Sequence, residues 1–222
     1  MQKLLFAVLS SFCLACAATE IPSSDTILAD LSRCDATFFK TLKSKAALLS
    51  GSGQYEVIGN YAHFKVANRF ADAGSTTTLE PPIKVDMFDA VGYFDELWTM
   101  TGGGRFVAWG FVLNAKPEDV VRALRPLVWD NQRLVADGPS FTRSELWESD
   151  KSELGWQKVR TESGEPKPGT VERVLMIEPY ERVPNQTRVG CSIQGSITRD
   201  MIESMRPDLV PTLPPARGPG PR

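Results

Sequence analysis

The sequence predicts an α+β fold: antiparallel sheet, in one or two pieces, with helices packed on one face. Three observations carry this expectation. The run Arg105–Leu113 is aromatic, β-branched and apolar on both faces, as a strand covered on both sides should be. After Trp129 come short alternating segments separated by Asp137-Gly-Pro-Ser, Asp150-Lys-Ser and Gly164-Glu-Pro-Lys-Pro-Gly, all turn chemistry. Apolar residues also recur at spacings of three and four in two other stretches, the signature of amphipathic helix.

The chain opens with Lys3, an apolar run from Leu4 to Leu14, and the small residues Ala15-Cys-Ala17. This reads as a signal peptide over 1–17, cleaved after Ala17. The apolar run is only about half of the roughly 20 residues needed to cross a bilayer, so a soluble mature chain with no transmembrane span is expected, periplasmic or secreted. The alternative is a lipid anchor on Cys16, for which Cys13 three residues earlier is a poor match. The remainder, 18–210, is long enough for one large domain or two small ones. Its candidate halves are about 55–128 and 129–210, preceded by a helix over about 25–50.

Lys and Arg number 25 against 27 Asp and Glu, a formal net charge of −2, which does not suggest a nucleic-acid partner. Two cysteines remain after cleavage, Cys34 and Cys191. An even pair in an exported chain reads as a disulfide, stapling the N-terminal helix to the last strand.

In chain order, Ser23-Ser-Asp25 supplies N-cap candidates, and Ile27, Leu28, Leu31, Cys34, Phe38 and Leu42 form one helical stripe running toward Gly51. Ala62–Asn68 reads as a strand, and 71–82, with Gly74, three threonines and Pro81-Pro82, as an exposed loop. Ile83, Val85 and Met87 alternate as a strand does. Residues 88–98 fit either period, and Gly92 favours strand. Gly102-Gly103-Gly104 marks a turn before the strand Arg105–Leu113. Pro117 opens a helix with Glu118 and Asp119 in its first turn and Val120, Val121 and Leu124 buried, and Pro126 bounds it.

An antiparallel meander follows: 133–136, 141–148, 156–161, 171–179 and 188–197. Thr198 caps a last helix over 199–205. Val120-Val-Arg-Ala-Leu-Arg-Pro126 and Met201-Ile-Glu-Ser-Met-Arg-Pro207 both end a strand–helix unit in Arg-Pro, 81 residues apart, which raises internal duplication beside coincidence. The proline-rich tail 211–222 is expected to be extended and disordered.

His63 is the single histidine, so a triad, a Cys-His pair or a histidine-rich zinc site must be built around it, and no partner motif accompanies it. No cofactor or metal is expected. Gly102, Gly103, Gly104 and Arg105 could cradle an anion, although a flexible hairpin is the simpler reading. The carboxylate pairs Asp86/Asp89, Asp95/Glu96 and Glu178/Glu181 are candidates for a glycosidase-like pair, against the simpler reading that they face solvent. Trp98, Trp109, Trp129, Trp147 and Trp156 fill a core or line a groove; Trp109 joins the glycines and Arg105 as a candidate binding residue. Asn185-Gln-Thr187 matches a glycosylation pattern that a bacterial-looking export signal leaves idle.

Three functional classes follow. The first is a non-catalytic binding or accessory protein of the bacterial envelope, its partner an unknown small molecule or envelope protein. The second is a carboxylate-based hydrolase of envelope glycans. The third is an interaction or inhibitor module using a sheet face. A tryptophan-lined cleft would favour a small-molecule binder, and paired acids in a cleft the hydrolase.

Overall fold

The computed structural model describes residues 26–52, 54–128, 130–160 and 164–212. The expected signal peptide, the caps Ser23, Ser24 and Asp25, Trp129, and the tail from residue 213 lie outside them. The expected tail begins two residues early, because Val210–Thr212 form a 3-10 turn.

The N-terminal stripe is divided among α1 (Ile27–Leu31), α2 (Thr37–Ser44) and α3 (Ala46–Leu49), correcting the single helix expected over 25–50. The break falls at Cys34, whose φ is 55°. Past it, Asp35 accepts a hydrogen bond from the Thr37 N–H and the chain restarts with Phe38 and Phe39 both buried. An uninterrupted helix keeps negative φ throughout. The start of α1 is held from a distance: Asp86 accepts hydrogen bonds from the N–H groups of Ile27 and Leu28, each 2.9 Å.

A hairpin follows, β1 (Tyr55–Ile58) and β2 (Tyr61–Phe64). The main sheet begins with β3 (Thr76–Val85), so most of the expected loop 71–82 is strand. Pro81 and Pro82 fit there because β3 is the outermost strand and its pairing with β4 (Phe88–Thr99) shifts register between Thr78 and Ile83. Proline is tolerated at edges and bulges, where no ladder donor is required. The chain reverses at Asp86-Met87, so the alternation through Met87 crosses a hairpin and 88–98 is strand.

Next come β5 (Arg105–Leu113), α4 (Pro117–Leu124), β6 (Val135–Asp137), β7 (Ser140–Glu148), β8 (Gln157–Val159), β9 (Thr170–Pro179), β10 (Thr187–Gly195) and α5 (Arg199–Met205). The eight-stranded sheet runs β3-β4-β5-β10-β9-β7-β6, with β8 also on β7, and all its pairings are antiparallel. The two candidate halves share this one sheet, joined where β5 pairs β10. β10 starts at Thr187 and α5 at Arg199, each 82 residues after β5 at Arg105 and α4 at Pro117. The Arg-Pro match at 81 residues is therefore one out of step, placing Arg125 on the surface and Arg206 in the core; an internal duplication is not shown.

One face of the sheet holds the main core. Tyr93, Trp109, Phe111, Leu175, Ile177 and Ile193 meet Leu28, Phe38, Phe39, Val120, Leu124 and Ile202 from the helices. Cys34 reaches across to β10 as a disulfide with Cys191, Cα–Cα 5.4 Å and 157 residues apart in sequence. Closing a loop of that size contributes about 5 kcal/mol in the chain-entropy account. The far face carries a thinner cluster of Phe94, Ala108 and Val112 with Val91, Phe106, Met176 and Tyr180. Among the described residues no helix is long and apolar enough to cross a membrane.

Candidate functional site

Alternation along a strand sends successive side chains to opposite faces, and on β4 it separates Asp95 from Glu96. Asp95 enters the core. Phe94, Glu96 and Trp98 stand on the far face, where β10 presents Arg188 and β9 presents Glu178. The register puts Glu178 directly across from Arg188, and Glu96 two strands from it across β5 and four residues along, since Arg188 faces Val112 and Glu96 faces Ala108.

The three meet in a row. Arg188 donates through Nη2 to Glu96 Oε1 at 2.8 Å, and its Nε lies 3.6 Å from Glu178 Oε1. Its guanidinium carbon is 4.0 Å from the centroid of the Phe94 ring, within cation–π range. Phe94 reaches over Gly110 and Gly190, which face each other across β5 and β10. A side chain at either glycine would occupy the ring's place, so the bare backbone lets the ring and then the guanidinium stack on the sheet.

This row is the floor of a cleft of about 510 Å³ walled by Thr76, Pro139, Ser140, Tyr180, Glu181 and Arg182. A second compartment of about 490 Å³ shares Asp72, Glu96 and Arg188 with it and adds Phe70 and Trp98. At the rim Arg182 reaches Asp72 at 2.8 Å. Trp98 lies flat on Phe106, centroids 4.0 Å apart and planes 14° apart, and is 43% exposed, so one indole face is stacked and the other is offered to solvent. Burial raises the Glu178 pKa; Arg188 opposes the rise, while Glu96 and Glu181 add to it.

Trp109 lies elsewhere. It is fully buried on the core side of β5, its ring 5.9 Å from Phe39 and 5.0 Å from the Arg206 guanidinium. Gly102, Gly103 and Gly104 form the tight β4–β5 turn, closed by the Met100 N–H donating to the Gly104 carbonyl at 2.8 Å. At its start the Thr101 and Gly102 N–H groups donate to the carboxylate of Glu165 at 3.0 and 2.9 Å. Arg105 lies exposed at the start of β5, opposite Thr99 and Gly195.

Asp95 belongs to a buried network that the sequence reading missed. Arg206, just past α5, donates to both Asp95 oxygens at 3.1 Å and to Asp208 at 3.0 and 2.8 Å, and all three side chains are fully enclosed. Arg69 approaches Asp95 at 3.4 Å, which balances the two carboxylates with two guanidiniums. His63 is buried beside them, Nδ1 3.9 Å from Asp208 and Nε2 3.7 Å from Glu56. Burial is the largest influence on it and lowers its pKa. This network ties β4, the hairpin, the segment after α5 and the 66–75 connection together. Its enclosure makes it architecture.

Of the carboxylate candidates, Glu96 and Glu178 come together in the cleft with Glu181 at its wall. Asp86 caps α1, and Asp89 pairs with Lys84 at 2.6 Å. Arg188, the residue that joins the acids, was not singled out from sequence, and the available signal was strand alternation placing it opposite Glu178. Among the described residues no group of three or more His, Cys, Asp or Glu side chains converges as a metal site. No protein-family model matches this chain, and no curated protein and no solved structure matches it either.

Proposed function

We propose that the chain is an exported binding protein of the bacterial envelope, without catalytic machinery, that holds a small molecule in the cleft on the far face of the sheet. The observation that carries this reading is the Glu96–Arg188–Glu178 row, a fixed polar floor beside the exposed indole of Trp98. A few convergent polar groups next to an aromatic wall are what small-molecule sites use for orientation and area. The disulfide is compatible with an oxidising compartment.

Native mass spectrometry of the mature protein, purified gently from its own envelope fraction and alkylated without reduction, tests this reading. The expected result is cleavage after Ala17, no labelled thiol, and a retained small molecule that is lost in Trp98→Ala. Acyl mass on Cys16 would replace soluble export by a lipid anchor, and an occupant unaffected by Trp98→Ala would move the site elsewhere.

A second reading, the carboxylate-based hydrolase, has one observation in its favour: burial raises the pKa of Glu178, which shares the cleft with Glu96. An acid and a base or nucleophile must flank the scissile bond across a gap of roughly 5–9.5 Å that substrate fills. Here the Arg188 guanidinium stands between the two carboxylates and fills that position, which is why binding is the preferred reading. Release of soluble fragments from purified peptidoglycan, abolished by Glu178→Gln and by Glu96→Gln, would reverse the preference.

A further inference from the structure

Building on the binding reading, we infer that the cleft selects an organic cation, a ligand carrying an ammonium or guanidinium group within about 7 Å of an apolar or aromatic portion.

The charge balance of the cleft points this way. At the rim, Arg182 and Asp72 neutralise each other. On the floor, one guanidinium serves two carboxylates, Glu96 and Glu178, and Glu181 contributes another carboxylate to the wall. Arg69, which lines the second compartment, directs its charge inward to Asp95, where it completes the neutral core network. The cleft therefore holds carboxylate in excess, with part of it half-buried, and a cation entering it would relieve that excess. An anion would have to displace Glu96 or Glu178 from Arg188. A neutral ligand would leave the surplus uncompensated in a site it had just desolvated, which is costly for a charge.

The geometry supplies the second half of the ligand. Glu96 and Trp98 are two residues apart on one strand and share a face, a separation of about 7 Å at the usual strand rise. The Trp98 indole, stacked on Phe106, lines the second compartment together with Phe70. A π face attracts a cation and equally accepts hydrocarbon or another ring. A short alkylammonium ending in an aromatic ring, or a lysine-like or arginine-like side chain, spans the distance.

Three matched probes test this: 2-phenylethylammonium, its uncharged counterpart 2-phenylethanol, and its anionic counterpart 3-phenylpropanoate. Each is titrated calorimetrically into the mature, disulfide-intact protein, with quenching of tryptophan fluorescence followed in parallel. The expected result is saturable binding of the ammonium at least tenfold tighter than of the alcohol or the carboxylate, weakened by added salt. Glu96→Gln and Trp98→Ala should each weaken it at least tenfold with their urea midpoints near the parent's. Trp98 is a surface residue, so its removal leaves the fold available for the measurement. Equal binding of alcohol and ammonium, preference for the carboxylate, or no ammonium binding at millimolar concentration would overturn the inference. Failure of the parent reading is separable: a neutral or anionic molecule retained natively and lost in Trp98→Ala would leave the cleft a binding site and reject the cation.

Discussion

Arg206 and Asp95, 111 residues apart in the chain, are joined by two parallel hydrogen bonds of 3.1 Å with neither side chain exposed. Arg206 also stands over the rings of Phe39 and Trp109, at 4.8 and 5.0 Å. The guanidinium thus closes the core between α2, β4 and β5. Arg206→Met keeps most of the volume but leaves Asp95 and Asp208 buried with Arg69 near the first and His63 near the second. Breaking a buried ionic cluster by removing one partner costs about 3–5 kcal/mol. The unfolding free energy of Arg206→Met, read from urea titration, should fall accordingly, whereas that of Lys40→Met, at an exposed position of α2, should move by less than about 0.5 kcal/mol.

His63 lies at the edge of the same network, faced by Asp208, Arg206, Asp95, Arg69 and Glu56. Burial, the largest influence, depresses its pKa, and the net direction is downward. The unfolded chain therefore takes up a proton on His63 at a higher pH than the folded one does. Above about 6.5, the unfolded value, both states are neutral and the residue adds no pH dependence. As pH falls below that value stability is lost, at up to about 1.4 kcal/mol per pH unit, until the folded pKa is reached. Urea midpoints measured between pH 8 and pH 5 should show this decline, and His63→Gln should flatten the part that sets in near 6.5.

How much of this was legible follows from where the information sits. The bounds of β5 and α4, and the positions of β7, β9, β10 and α5, are local: period, turn residues, Pro117 at a helix start and Thr198 as a cap whose side chain accepts from the Met201 N–H. Residues 76–82 of β3 read as loop because Gly74 and Pro81-Pro82 flank the threonines, which alone would favour strand; prolines fit a strand at an edge or bulge, and edge position is a property of the whole sheet. Arg206 was read as part of a helix stop, since nothing beside it shows that Asp95 and Asp208 converge on it. The cleft is distributed likewise. Glu96 and Glu178 were visible as acids, but their meeting depends on β5 and β10 pairing in the middle of the sheet.

Gly190 and Gly110 leave the backbone bare beneath Phe94. A Cβ at Gly190 would collide with the Trp109 carbonyl and come within 2.6 Å of Phe94 Cζ. Backbone cannot yield as a side-chain tip does, so Gly190→Ala should destabilise by at least the 1–3 kcal/mol typical of overpacking. It should also lift Phe94 and with it Arg188. Thermal unfolding reads the first effect, and loss of 2-phenylethylammonium binding at a temperature where the variant is still folded reads the second.

Glu165 and the glycine turn make a contact whose consequence is local. The carboxylate spans two successive N–H groups, Thr101 and Gly102, and pins the 164–169 connection against the β4–β5 turn. Cavities of about 380 and 230 Å³ adjoin that connection, whose far end is held separately by the Gly169 N–H donating to Ser196 Oγ and the Ser149 N–H donating to the Gly169 carbonyl, each 2.9 Å. The contact is exposed, and global stability should change by less than about 1 kcal/mol on Glu165→Ala. Local protection should change far more, because the two amides lose their acceptor and open without unfolding the sheet. Amide hydrogen exchange should therefore accelerate at Thr101 and Gly102 in Glu165→Ala, and less in Glu165→Gln, which keeps one acceptor oxygen. Exchange at Val107 and Phe111 should stay as slow as in the parent. Unchanged rates at both turn amides would mean that the 164–169 connection is held by something other than Glu165.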